Sequence, residues 1–433
     1  MSVDVLVGLQ RGDEGKGRFV DMLAANYDIV ARFNGGNNAG HTVVLPNDSV
    51  LKLHLVPSGI THPDTVNIIG NGTLVNPVKL VEEIEDIRSN DIEVSKENLK
   101  LSSGSHLILP HHIFEDEIRE ANPDRSQGST KTGIAPVAAF KAMRYGARTE
   151  EIRNDPEGLL ETVFEALVAQ RELREAASLD EIDEREVALE YIEAAKEIGV
   201  FVTDTVFYLN QRLKGPKKAR VLAEGAQAFL LDIDHGMYPF TTSTSTVSGG
   251  AATGLGIPPQ QIKKVMGVAK AVQSHVGGGP FVTEVTDPVR KAILHGDKSS
   301  VDAEYGTTTG RERRLGYLDL PQIRRSNMIN GTDEMILTKL DWVPRFGRQV
   351  MICTAYSRKG KILDISPDSA RKLEQSQPLY TSLPTWDQRI QDTRQFAALP
   401  DEARAYVEFI EDQTKVPISM IGVGPNPDQV IIR

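Results

Sequence analysis

Short apolar runs alternate with amphipathic stretches along this chain. Val3–Leu9 is a largely apolar run of strand length, and Arg18–Tyr27 after it carries Phe19, Leu23 and Tyr27 at helical spacing. Further strand-like runs are Thr65–Gly70, Leu107–Leu109, Arg220–Ala223, Met335–Leu340, Val350–Ala355 and Ile418–Val423, and helical patterns lie between them, including Val78–Ile87 and Pro321–Met328. Such alternation predicts an α/β fold with a large, mostly parallel central sheet flanked by helices. Residues 150–200 are acidic and rich in Ala, Glu and Leu, which predicts a helical excursion from one continuous domain spanning 1–433. The polar segments Asn122–Thr132 and Asp297–Arg314 read as active-site loops.

Composition narrows the function. The chain has 433 residues, 25% of them charged and 40% hydrophobic, and a formal net charge of −11. An acidic chain of this kind is a poor general binder of nucleic acid or anionic membrane, so any anion must be held by local donors. The start, MSVDVLVGLQ, lacks the basic-then-apolar order of a secretion signal, and no apolar run reaches membrane-spanning length. A cytoplasmic enzyme is expected. The one cysteine, Cys353, lies in "QVMICTAY" and reads as a buried strand residue.

Candidate chemistry begins between the first strand and the first helix. "GLQRGDEGKGRFVD" (Gly8–Asp21) has the Gly-Lys pair of a phosphate loop, Gly15 and Lys16. Gln10 replaces the first glycine, and Gly17 replaces the Ser or Thr that holds Mg²⁺ in an ordinary P-loop. Backbone N–H groups from Gly12 to Gly17 at a helix N-terminus suit an anion, with Lys16 adding a point charge. Asp13 inside that loop repels phosphate unless a metal or proton donor faces it, and so is a candidate Mg²⁺ ligand. "TKLD" (Thr338–Asp341) is the [NT]-K-x-D pattern that reads guanine, its carboxylate accepting from two purine donors; alone it is also an ordinary strand-end turn. The one D-x-x-G, DPEG (Asp155–Gly158), falls in the acidic helical segment and not at the end of a strand-like run, which disfavours a switch GTPase. "TTTGRERRLGYLD" (Thr307–Asp319) offers hydroxyls with Arg311, Arg313 and Arg314 for a small dianion. "NGGNNAGHT" (Asn34–Thr42) places His41, a potential phosphate donor, in a glycine-rich loop.

Together these stretches resemble the adenylosuccinate synthetase family over nearly the whole chain. The motifs follow in order: QRGDEGKG, GGNNAGHT, GSTKTGIAP (Gly128–Pro136), "FKAMRYG" with Lys141 and Arg144, "LAEGAQAFLLDIDHGMYP" (Leu222–Pro239), "VGGGPFVTE" (Val276–Glu284), TTTGRERR, LTKLD and "GVGP" (Gly422–Pro425). The resemblance implies ligation of L-aspartate to IMP with GTP and Mg²⁺, through a 6-phosphoryl-IMP intermediate. It implies that Asp13 takes the N1 proton of IMP and ligates Mg²⁺ beside the Gly40 carbonyl, while His41, Lys16 and Gln227 assist. IMP would meet Asp13, Glu14, Gly15, Lys16, Asn38, Ala39, Gly40, His41, Thr130, Gln227, Thr242 and Arg311, with Arg144 reaching it across a homodimer interface. GTP would lie along Gly12, Asp13, Glu14, Gly15, Lys16 and Gly17, then Gly40, His41, Thr42 and Arg313, with Lys339, Leu340, Asp341, Gly422, Val423 and Gly424 around guanine. Thr307, Thr308, Thr309, Gly310, Arg311 and Arg313 would hold aspartate.

The chain also departs from the family pattern. Arg11 stands where the family usually has Trp, Asn37 where it has His, and Gly422 where it has Ser. Lys131, Thr132 and Ala135 alter the GTTGRGIGPAY-type stretch. These changes leave open a paralogue acting on another 6-oxopurine nucleotide such as (d)GMP, or a non-catalytic GTP-binding protein. Retention of Asp13 favours IMP.

Overall fold

The computed structural model describes residues 2–45, 49–122, 128–295 and 312–433. Among these residues ten strands form the central sheet. In chain order they are β1 (Ser2–Gly8), β2 (Ile29–Arg32), β3 (Val66–Ile69), β4 (Leu99–Ser102), β5 (Val202–Thr203), β6 (Arg220–Glu224), β7 (Ile262–Lys270), β8 (Glu334–Thr338), β9 (Ile418–Gly422) and β10 (Val430–Ile432). Their spatial order is β10-β9-β8-β7-β1-β6-β2-β3-β4-β5, every neighbouring pair parallel except β9 with β10. The expected α/β fold with a mostly parallel sheet is what forms.

Central β1 shows why its run is apolar on both sides. Val3, Val5 and Val7 face one core with Leu209, Leu213 and Leu255, while Leu6 faces another with Phe19, Val20 and Ala24. A parallel strand covered on both faces has little room for polar alternation. The second core is closed by α1 (Lys16–Ala24), which starts two residues earlier than the sequence pattern indicates and ends before Tyr27. Tyr27 instead donates its hydroxyl to Asp4 at 2.7 Å, which accounts for a carboxylate inside an apolar strand.

Other boundaries shift for local reasons. The run Leu107–Leu109 yields only a two-residue strand, His106–Leu107, because Pro110 opens a helix and Leu109 becomes its N-cap. The strand expected at Met335–Leu340 stops at Thr338, where Lys339 turns left-handed at φ 57°. Cys353 is buried in strand Gln349–Arg358, as its surroundings suggest.

Four more helices complete the part of the fold that shapes the site: α2 (Pro77–Ser89), α3 (Pro110–Ala121), α4 (Ile134–Met143) and, within the acidic segment, α5 (Glu151–Asn154). Helices Pro156–Ala169, Arg171–Ala176 and Glu184–Ile198 follow, and Val163, Leu167, Tyr191 and Ile192 share a core with Leu80 and Ile84 of α2. No described helix is long and apolar enough to cross a membrane.

Beneath α4 lies a cluster of buried histidines. The rings of His111 and His112 lie 4.0 Å apart between centroids, tilted by 48°, and each meets Phe140 in an edge-to-face contact. Burial holds His111 near pKa 4 and His112 near 2, against an ordinary 6.5; the neighbouring His106 is also held near 4 by burial, with Lys141 and Arg148 adding to the shift. The native state therefore refuses protons that the unfolded chain accepts below pH 6.5, so stability present above that pH is lost as pH falls towards 4. Urea midpoints should be level from pH 8 to 7 and fall below 6.5, each such histidine costing up to about 1.4 kcal/mol per pH unit. His111→Phe should lose less stability between pH 7 and 5 than the parent; identical pH profiles would rule out the neutral cluster.

Candidate active site

The carboxyl ends of the central strands converge, as ligand sites do in open parallel sheets. The loop after β1 carries Gly12–Lys16, the loop after β2 carries Asn34–Gly40, and β6 ends in Glu224 just before Gln227. Beyond β7 come Ser274 and His275, beyond β8 Lys339–Asp341, and beyond β9 Val423 and Gly424. Two cavities open there, of about 610 and 290 Å³.

The loop after β1 is held from inside. Gly12 and Gly15 take φ values of 92° and 83°, and Asp13 between them takes 56°, a left-handed conformation that a non-glycine residue adopts at a cost. Buried Glu14 accepts from the Gly12 N–H at 2.8 Å and pairs with Lys16 Nζ at 2.7 Å. One of the expected anion-binding N–H groups is thus internally engaged, and the Lys16 charge is partnered rather than free. Gln10, where a P-loop has glycine, bridges the backbone of Lys270 through both amide atoms, at 2.8 and 3.1 Å. Lys270 in turn donates from Nζ to the Gly12 carbonyl at 3.0 Å and to Ser274 Oγ at 2.6 Å.

Gly17 has a steric explanation. A Cβ there would lie 2.7 Å from His41 Cβ, so no Ser or Thr fits at the usual metal-binding position.

Asp13 lines both cavities, standing at their junction. Its Oδ2 pairs with Arg313 at 2.8 Å. Desolvation alone would raise its pKa, but Arg313, Lys270, Lys16 and Lys339 together hold it below the usual 3.8, so the group is ionised at neutral pH.

His41 begins a short strand, His41–Val44, and is 4% exposed. Its Nδ1 makes a short contact with Glu224 Oε1, and Arg32 Nη1 lies 3.3 Å from the same nitrogen. Ser58 donates to Glu224 from its N–H at 2.9 Å and its hydroxyl at 2.8 Å. Burial would raise Glu224, but His41, Arg32 and the Ser58 N–H bring it down to about 2; burial and Arg32 push His41 down to about 4, with Glu224 opposing. The carboxylate sets the tautomer: Nδ1 carries the hydrogen, and Nε2 is an acceptor until a second proton arrives.

The larger cavity gathers Gly12, Asp13, Lys16, Asn38, Ala39, Gly40, His41, Thr130, Gln227 and Thr242 from the expected set. Gln227 is left-handed at φ 55°, donates to Asn38 Oδ1 at 3.1 Å, and has a buried Oε1 with no partner; Thr242 Oγ1 is likewise buried and unpartnered. Thr130 is presented by a turn that Asp116 organises through Ser129 Oγ, 2.9 Å from both carboxylate oxygens, and Gly133 N–H at 3.0 Å. Ala135, Ala138, Ala139 and Ala142 of α4 form an apolar wall. The smaller cavity gathers Asp13, Glu14, Gly15, Thr42, Arg313, Lys339, Asp341 and Gly424. Lys339 Nζ lies 4.2 Å from the ring centre of Trp342, which also lines this cavity. Gly17, Leu340, Gly422 and Val423 lie behind these walls, and Arg144 lines neither cavity. Thr307, Thr308, Thr309, Gly310 and Arg311 fall outside the described residues. Sequence reasoning missed Arg32, Lys270 and Asp116, which no motif spacing links to the site, and gave no role to Glu224, although it stands three residues before Gln227 in the EGAQ stretch.

A family model for adenylosuccinate synthetase matches residues 5–431. The chain belongs to the adenylosuccinate synthetase family. The adenylosuccinate synthetase of Chlorobium chlorochromatii is 43% identical, covering 99% of this chain and 97% of that one. The fully ligated adenylosuccinate synthetase of Plasmodium falciparum superposes with a TM-score of 0.89 at 34% identity, covering 100% of both chains. The cyanophage S-2L succinoaminodeoxyadenylate synthetase, at 19% identity and a TM-score of 0.62 over 100% of this chain and 95% of that one, shares the fold. Against the adenylosuccinate synthetase pattern, Arg11 is accommodated in the larger cavity's wall, donating to the Pro280 carbonyl at 2.8 Å and stacking on Phe281 at 4.7 Å.

Lys270 generates a prediction. Lys270→Met removes the support of the Gly12 carbonyl and should cost roughly 1–3 kcal/mol of stability. It should also lower kcat/KM for GTP about tenfold, because the loop must be pre-set to receive charge. Thermal melting and steady-state kinetics check both; normal kinetics with a lowered Tm would confine Lys270 to stability.

Proposed function

We propose that this site carries out the reaction of its family, the GTP-dependent joining of L-aspartate to IMP to give adenylosuccinate, GDP and phosphate, in purine nucleotide synthesis. The observation that carries the reading is Asp13, an ionised carboxylate at the junction of two cavities. IMP occupies the larger cavity and GTP the smaller, so that the purine 6-oxygen and the γ-phosphate meet at Asp13.

The 6-oxygen of IMP is a poor leaving group, so it is phosphorylated first. Asp13 accepts the N1 proton, O6 attacks the γ-phosphorus, and GDP departs. The aspartate amine then adds at C6, and phosphate leaves from 6-phosphoryl-IMP. The chain supplies position and electrostatics. Lys16, aimed by Glu14, meets the transferring phosphoryl group. Its approaching negative charge raises the His41 pKa towards ordinary values, and the ring, backed by Glu224, becomes a donor through Nε2. Asn38, Gln227, Thr130 and Thr242 take the polar edges of IMP, the unpartnered Oε1 of Gln227 and Oγ1 of Thr242 being suited to this. Arg313 exchanges Asp13 for anionic substrate, joined by Arg311 and Thr307–Gly310 around aspartate. Lys339, Asp341 and Gly424 surround guanine.

Mg²⁺ fits this donor set in one way. Among the described residues no group of three or more His, Cys, Asp or Glu side chains is placed to hold a metal ion. Mg²⁺ commonly takes one or two protein oxygens with phosphate oxygens and water, and the Asp13 carboxylate with the Gly40 carbonyl provides that number. When bound, it would neutralise charge on the phosphates.

The working unit in this reading is a cytoplasmic homodimer. Arg144 caps α4 in the left-handed conformation at φ 68°, away from its own cavities, between Met143 and Tyr145, which are 51% and 76% exposed. That placement supports its reaching a partner's IMP.

Two experiments test these proposals. Purified protein with GTP, Mg²⁺ and aspartate should form adenylosuccinate from IMP and release one phosphate per product, with far lower turnover on GMP or dGMP; preference for GMP or dGMP would overturn the substrate assignment. Mixing Arg144→Leu protein with Asp13→Ala protein should restore part of the activity, since hybrid dimers contain one site with both residues intact. No recovery despite proven subunit exchange would remove Arg144 from the shared site.

A further inference from the structure

The smaller cavity contains a cation that the reaction above does not use. Arg18, in the first turn of α1, lines it opposite Asp341 and Lys339. Its Nη1 donates to the Gly424 carbonyl at 2.6 Å. Its Nε and Nη2 are out of contact with water and have no hydrogen-bond partner. Burial lowers its pKa to about 10 while Asp341 and Asp428 oppose that, so the group is a cation at any working pH.

Nε and Nη2 form one side of the guanidinium plane, two parallel N–H donors spaced for two neighbouring acceptors. Leaving both buried and unpaired is costly, so the guanidinium gains by turning into the cavity towards a ligand that brings acceptors. Gly422 packs behind the guanidinium: a Cβ there would stand in ordinary contact, 3.7 Å from Arg18 Nη1 and 3.6 Å from Thr338 Cα. A guanine base offers two donors, N1–H and the 2-amine, along the edge suited to Asp341. Adjacent to them it offers two acceptors, O6 and N7, the pair that arginine most often grips in guanine recognition. Adenine presents an amine at the 6-position, which a guanidinium rejects.

We propose that Arg18 reads the O6/N7 edge of the GTP base, completing with Asp341 a two-sided selection of guanine. This rests on the reading that the smaller cavity holds the base of GTP. Arg18 reaches that edge from the first helix, while Asp341 reaches the other from the loop after β8.

The test compares kcat/KM for GTP, 7-deaza-GTP, which lacks the N7 acceptor, and 6-thio-GTP, whose sulfur accepts weakly. The parent enzyme should prefer GTP over each analogue by roughly tenfold. Arg18→Met should lose about that much on GTP and become indifferent among the three, and Arg18→Lys should keep a weakened preference. Equal efficiency of the parent on all three nucleotides would overturn the proposal without recourse to any variant, as would an unchanged preference in a folded Arg18→Met protein. Asp341→Asn separates the two ideas, because loss of the carboxylate should move preference from GTP to XTP. If it does so while Arg18→Met retains discrimination, Arg18 alone is excluded; if neither substitution changes nucleotide preference, the base pocket and this proposal fall together.

Discussion

A carboxylate inside a phosphate-binding loop is repelled by the ligand the loop exists to hold, and the architecture of this site answers that repulsion. Asp13 stays ionised because Arg313, Lys270, Lys16 and Lys339 surround it, and each comes from a different stretch of chain. The central sheet makes that convergence possible: β1, β7 and β8 are consecutive neighbours, so residues at or just beyond their carboxyl ends lie within electrostatic reach. Glu14 then separates the charges within the loop, holding Lys16 and the Gly12 N–H while Asp13 borders both cavities. The loop thus holds one carboxylate buried against its own lysine and presents the other between the two cavities.

The buried group formed by Arg32, Glu224 and His41 applies the same logic to a histidine. A carboxylate beside an imidazole ordinarily favours the cation, but burial and Arg32 outweigh Glu224, and the ring rests neutral. In the proposed reaction its charge is thereby made conditional on the arrival of an anion. A ring that was already cationic would bind phosphate in the ground state; one that becomes cationic as charge gathers directs its stabilisation to the transition state.

What could be read from the chain, and what could not, follows from how local each feature is. The loop after β1 and the TKLD turn are contiguous, and their glycines and charged residues sit at spacings that a strand-to-turn geometry imposes. Glu224 and His41 are 183 positions apart, and Gln10 and Lys270 are 260 apart, so no local pattern connects them. Strand β7 escaped notice because lysines flank it and Gly267 interrupts its apolar run; that glycine is there because a Cβ would lie 2.6 Å from Leu9. Asp116 looked like one more charge on a polar helix, and only the folded chain shows it organising the turn that carries Thr130.

The close approach of Gly17 to His41 also bears on what kind of loop this can be. Turning this loop into an ordinary phosphate loop requires a hydroxyl-bearing side chain at position 17, and the Cβ and Cα of His41 occupy that space. Any residue larger than glycine at position 41 brings a Cβ to the same place, so exchanging the imidazole for another side chain does not make room for the hydroxyl. A loop with glycine at position 17 and a loop with a hydroxyl there therefore differ in the spacing of two backbone segments and not in one side chain alone.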